Sequence, residues 1–200
     1  MAHQRDGWAR FRDCFWFLTA AENGDLVVLF IEKVLLHRAA YFGFYPWFIR
    51  AVEQRFPNAT DPEFRTALRR ADCLFTLIAE RHAIACGDHD ATLHGAACAG
   101  RQKLGPAATA LSSGGELDIN EYANRDEDNK KRYFKHPLGG LGQYYFGPLK
   151  DWYFILVGNA KTGIKYTIEN GEPLAKNYSD GINESRFLEV LAQKTRRNPT

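Results

Sequence analysis

The sequence has little of what marks secretion, membranes or ready-made chemistry. Its longest purely apolar run, Leu26 to Ile31, is six residues, far short of the ~18 a membrane span needs. Arg5, Asp6, Arg10, Arg12 and Asp13 interrupt any apolar core of a signal peptide. The cysteines, Cys14, Cys73, Cys86 and Cys98, form no CxxC pair and follow no framework spacing. Free thiols in a soluble, cytoplasmic protein are therefore expected. The formal net charge of +2 is too near balance for whole-chain charge to argue for nucleic acid or an anionic membrane. There is no GxSxG, no HExxH and no internal repeat. The glycines of Gly139-Gly-Leu-Gly142 lack the Lys-Ser/Thr of a phosphate loop. No catalytic constellation results.

What is present is apolar and aromatic. In 200 residues, 45% are hydrophobic and 14% aromatic, enough to bury a sizeable core. Periodicity predicts helices over residues 5–21, 26–42, 46–56 and 60–86, with the all-apolar 26–31 marking a central helix. Gly43 should end the second, and Pro46 should open the third at its first turn. The fourth is the clearest. Thr60 and Glu63 fit a capping box, while Asp61-Pro62 fits an alternative start. Phe64, Leu68, Ala71, Phe75, Ile78 and His82 make one apolar stripe, which leaves Arg65, Arg69, Asp72 and Glu80 for the wet side. A further helix is drawn over 91–99. Gly105-Pro106 and Ser112–Gly115 are expected breaks. Residues 124–135, NRDEDNKKRYFK, read as a solvated loop whose Lys130-Lys-Arg132 answers Asp126-Glu-Asp128.

Near the C-terminus, a helix over 149–154 leads into strands at 154–157 and 164–168. A turn at 169–172 and a helix opened by Pro173 follow, then a last helix over 183–194. The segment Ile164–Ala175, IKYTIENGEPLA, carries apolar-x-x-Thr-x-x-x-Gly-x-x-Leu, and LKDWYFIL precedes it. This resembles the wing and flanking helices of MarR- and PadR-like winged-helix proteins, over about 143–178. The resemblance implies DNA contact through Lys150, Lys161 and Lys165. The stretch corresponding to the recognition helix, QYYFGP, is aromatic and interrupted by Pro148. Base edges demand polar side chains, so at most weak, sequence-indifferent DNA binding is expected, or contact with another protein. The segments HRAAYFGFYPWFIRAVEQRF, ALRRADCLFTLIAERH and GLGQYYFGPLKDW also resemble a group of uncharacterised bacterial proteins, some of them defence-associated. That resemblance implies a structural N-terminal part of a larger defence protein and carries over no active-site residue.

One cluster has metal-ligand residue types. His82/Cys86 and His94/Cys98 are i, i+4 pairs, so on helices each would share a face. A metal-dependent enzyme using His82, Cys86, His94 and Cys98 is the rival reading. Against it, His82 continues an apolar stripe, and no standard zinc spacing matches. The aromatics Tyr144, Tyr145, Phe146, Trp152 and Tyr153 are weighed as a base-stacking platform and as core, with core favoured. The reading is a mainly α protein: a helical bundle over 1–118, a charged loop or linker over 119–137, and a small winged-helix-like α+β unit over 138–200. Its function would be a non-catalytic binding or scaffold module with no cofactor, contacting DNA or another protein and no membrane.

Overall fold

The computed structural model describes residues 39–85, 101–158 and 163–192. All but Ala39 lie in one compact unit, Ala40–Thr200. Among them the architecture is mainly helical with one small antiparallel sheet. The helices expected over 5–21 and 91–99, and nearly all of the one over 26–42, lie outside the described residues.

Helix α1 runs unbroken from Ala39 to Arg55. The break expected at Gly43 and the fresh start at Pro46 do not occur. Pro46 lies inside the helix and forfeits one backbone bond, at about 3 kcal/mol. Burial outweighs this. Residues 41–49 are all buried, and Tyr41, Phe42, Phe44, Tyr45, Trp47 and Phe48 each gain roughly 2 kcal/mol by leaving water. Their rings interlock with other elements: Tyr41 with Tyr145 at 4.7 Å, Phe44 with Phe75 at 4.7 Å, Trp47 with Phe187 at 5.2 Å. Gly43 serves close approach rather than termination, because a Cβ there would meet Tyr178 Cδ2 at 2.6 Å.

Helix α2, Asp61–Ala85, spans about 37 Å. Of the two possible starts, the one at Thr60 is used, with the Glu63 arm of the capping box formed. Glu63 accepts from the Thr60 N–H at 2.8 Å and from its hydroxyl at 2.8 Å. The expected wet side needs correction. Arg65 is exposed enough to pair with Asp61 at 2.6 Å, but Arg69, Asp72 and Glu80 are buried. The apolar stripe is also narrower than expected. Leu68 and Ala71 are buried and Phe75 half-buried, whereas Ile78 is largely exposed. The helix is enclosed on two sides, by α1 and by the next two helices, so a polar row became an interior one.

Helix α3, Arg101–Ser112, passes through Gly105-Pro106, which the sequence marks as a break. Leu104, Ala107 and Ala108 face a second core with Cys73, Leu77, Ala123, Tyr133 and Phe134, while Pro106 points outward. The other expected break, Ser112–Gly115, does occur: the helix ends at Ser112, and Gly114 has a φ of 85° that suits glycine. Helix α4, Ile119–Ala123, is capped by Asp118, which accepts from the Asn120 N–H at 2.8 Å. The loop expected over 119–137 is thus only partly a loop. Residues 125–128 are exposed, yet Tyr133 and Phe134 are core. Lys131 pairs with Glu121 at 2.6 Å.

A π-helix, Leu141–Tyr145, leads directly into α5, Phe146–Asp151. Strands β1 (Ile155–Val157) and β2 (Ile164–Tyr166) pair antiparallel, Ile155 opposite Tyr166 and Val157 opposite Ile164. Helices α6, Gly171–Ser179, and α7, Glu184–Ala192, close the described chain. Asn183 caps α7 by accepting from the Arg186 N–H at 3.0 Å. Glu184 takes the Trp47 indole N–H at 2.7 Å, which ties α7 to α1. No helix among the described residues is long and apolar enough to cross a membrane.

Candidate functional site

The hairpin unit is assembled around Thr167. Its hydroxyl donates to the Tyr153 carbonyl and accepts from the Gly171 N–H at 2.8 Å. Its N–H donates to the Phe154 carbonyl at 3.0 Å, and its carbonyl accepts from the Glu172 N–H at 2.8 Å. One side chain therefore joins the end of α5, β2 and the start of α6. Gly171 must be small, because a Cβ would lie 2.2 Å from the Phe154 carbonyl oxygen. These contacts account for the threonine and glycine that stand four residues apart in IKYTIENG.

Helix α5 ends in a Schellman motif. The Phe154 N–H bonds the Leu149 carbonyl at 2.9 Å, and the Tyr153 N–H bonds the Lys150 carbonyl at 3.0 Å. The residue at the left-handed position of this motif is usually glycine. Here it is Tyr153, with φ 56°, a conformation that costs an L-residue about 1–2 kcal/mol. The residue is 67% exposed, and elsewhere on the unit Leu156 is 51%, Val157 51% and Ile168 75% exposed. The structure thus holds a strained aromatic and three aliphatic side chains in water on one small unit.

Of the three lysines expected to meet phosphate, one is engaged within the fold. Lys165 is ion-paired with Glu53 of α1, and Lys176 with Glu172 at 2.8 Å. Lys150 is exposed in the last turn of α5, where a cation also suits the helix dipole. Lys161 lies outside the described residues. So do Cys86, His94 and Cys98, and the side chain of His82. Among the described residues no group of three or more His, Cys, Asp or Glu could hold a metal ion. Of the aromatics weighed as a stacking platform, Tyr145 is buried and Phe146 and Trp152 half-buried, while Tyr144 and Tyr153 are exposed.

A polar cluster in the interior went unrecognised in the sequence. Asp72 is fully buried. Its Oδ1 accepts from the Tyr45 hydroxyl at 2.9 Å and its Oδ2 from the Gly140 N–H at 2.8 Å. Burial lifts its pKa from 3.8 to about 7, against the pull of those two donors. Burial, and then the Asp72 charge, push the Tyr45 phenol up, and burial pushes the Cys73 thiol up. Arg69 donates to the Ala123 carbonyl at 2.8 Å and the Pro137 carbonyl at 2.9 Å. Thr76 shares hydrogen bonds with the hydroxyls of Tyr133 at 2.9 Å and Tyr41 at 3.4 Å. Asp72 and Tyr45 are sealed from solvent, so this network acts on the fold: it fastens the chain around 123 and 137–140 to α2. The glycine run that looked like a phosphate loop is the docking turn. A Cβ on Gly139 would lie 2.2 Å from Asp72 Oδ2, and one on Gly142 would lie 1.9 Å from His136 Nδ1. The one available signal was the helical spacing of Arg69, Asp72, Thr76 and Glu80, which is equally the spacing of a wet face. No family model, curated protein or solved structure matches the chain.

Proposed function

We propose that the chain is a non-catalytic binding module whose winged-helix-like unit, residues 138–192, docks a partner protein through its hairpin. The observation that carries this reading is Tyr153: a largely exposed aromatic kept at a left-handed position where glycine would be more stable. Strain held at a surface residue is characteristic of binding sites. Leu156, Val157 and Ile168 are exposed apolar side chains of the same hairpin unit, and exposed apolar groups of this kind favour protein contact.

Weak, sequence-indifferent DNA contact through Lys150, Lys161 and Lys165 is the second reading. Exposed Lys150 favours it, and the Lys165–Glu53 pair weighs against it, since that cation is already neutralised. Co-purification from the native host, comparing wild type with a Leu156→Asp/Ile168→Asp variant of unchanged circular dichroism, tests the first reading. A partner retained by wild type and lost by the variant is expected; partners identical in both would overturn it. Fluorescence anisotropy with a labelled duplex tests the second. Each lysine that meets a phosphate should lower the salt slope of log K by about one when removed.

A further inference from the structure

Beyond the hairpin, a second surface has the makings of a ligand site. An open cavity of about 490 Å³ lies where α1 ends and α2 begins. That volume falls within the roughly 300–1,000 Å³ of small-molecule sites. Val52, Phe56, Phe64 and Ala67 make its apolar wall. Phe64 packs against buried Phe48, ring to ring at 6.3 Å, whereas Phe56 is 41% exposed. The rim carries one cation, Arg55, and one anion, Glu63.

The charges around this rim are unequally engaged. Glu63 is held by the N–H and hydroxyl of Thr60, and the first of these bonds keeps its carboxyl below the usual range. Asp61 is held by Arg65 at 2.6 Å and Glu53 by Lys165. The nearby carboxylates are therefore spoken for, and Arg55 forms no ion pair among the described residues. A guanidinium offers a planar fork of donors that matches a carboxylate in two-point contact. It lines the same cavity as the rings of Phe56 and Phe64. We propose that this cavity binds a small organic acid, an aromatic or branched apolar body bearing one carboxylate, with the body between Phe56 and Phe64 and the carboxylate on Arg55. This assignment is independent of the partner docking at the hairpin.

The probe is 3-phenylpropionate, titrated into the full 15N-labelled chain and followed by amide chemical shifts, with 3-phenylpropan-1-ol as its uncharged counterpart. The acid should give saturable shifts at Val52, Arg55, Phe56 and Phe64, with Kd on the order of 1 mM for a ligand this small. The alcohol should bind about fivefold more weakly, as expected for loss of a charge-assisted hydrogen bond at a partly exposed site. In Arg55→Gln the acid should weaken to the level of the alcohol while the alcohol is unchanged. Absence of saturable shifts in wild type at about 10 mM would overturn the site. Equal binding of acid and alcohol in wild type would overturn the role of Arg55, and with it the ligand class. Arg55 is exposed at a helix end, so its substitution leaves the fold intact.

Discussion

Replacing Asp72 with asparagine removes a charge while keeping the volume of a fully buried side chain. The carboxyl has a pKa of about 7 in the folded protein against a reference of 3.8. Between these values the folded state keeps a proton that the unfolded chain has released. The stability tied to this group is therefore complete below about 3.8, declines as pH rises towards 7, and is flat above it. A difference of about three units corresponds to about 4 kcal/mol. Asparagine does not titrate, and its amide can satisfy both neighbours: its oxygen accepts from the Gly140 N–H and its NH2 donates to the Tyr45 oxygen. At about pH 4 the two proteins should differ by less than about 1 kcal/mol. By about pH 8 the asparagine variant should be ahead by up to about 4 kcal/mol. Urea melts of both proteins across this range measure the difference. Glu63 and Glu172, whose carboxyls are held low by Thr60 and Lys176, contribute the opposite slope and cancel in the comparison. The facing Tyr45 and Cys73 are pushed up by burial, so both stay neutral throughout. A difference that does not change with pH, or one that moves towards wild type as pH rises, would refute the reasoning. It would mean that Tyr45 and Gly140 hold the carboxylate charged in spite of burial.

Two arginines four residues apart on α2 should differ widely in their contribution. Arg69→Ala should destabilise by about 3 kcal/mol, because it leaves the Ala123 and Pro137 carbonyls unpaired. Arg65→Ala, in an exposed pair with Asp61, should cost under about 0.5 kcal/mol. Phe75→Ala, which removes ring contacts to Tyr41 and Phe44, should also cost about 3 kcal/mol; equal losses at all three positions in denaturant melts would show the faces misassigned. Tyr153→Gly should raise stability by about 1 kcal/mol while weakening capture of the hairpin's partner, and a loss of stability would remove the argument from strain. Elemental analysis of the purified protein should find no stoichiometric zinc. One zinc per chain, lost in Cys86→Ser, would instead promote the metal-enzyme reading of His82, Cys86, His94 and Cys98.

The parts of the fold written in local chemistry were legible in the sequence. The Thr60–Glu63 cap, the hairpin strands and the start of the last helix near Asn183 follow from residues close to one another in sequence. The errors came where partners are remote in sequence. Gly43, Pro46, Gly105 and Pro106 are local breakers, and only the packing around α1 and α3 carries the helices through them. Arg69 and Asp72 are ordinary surface residues by composition; their burial depends on chain more than fifty positions away, at Ala123 and Gly140. At the candidate site, the pattern around Thr167 was visible, but two things were not. The Lys165 charge is taken up by Glu53 across the fold, and a left-handed tyrosine has no sequence signature of its own.

The π-helix at Leu141–Tyr145 bears on how the length of this chain can change. Leu141, Tyr145 and Leu149 are all buried, each four positions after the last. In a plain α-helix such a series would creep around the axis by about 40° per step. The wider turn, closed by the Phe146 N–H on the Leu141 carbonyl, takes part of that creep back and keeps the three on one side. A π turn amounts to one extra residue in an α-helix. Deleting a single residue within the π turn would close a regular α-helix in which Leu149, then seven steps on, still lies within about 20° of Leu141, whereas inserting one into α5 would swing the hairpin that follows by about 100°. A one-residue deletion in the π turn should therefore be tolerated where a one-residue insertion in α5 is not.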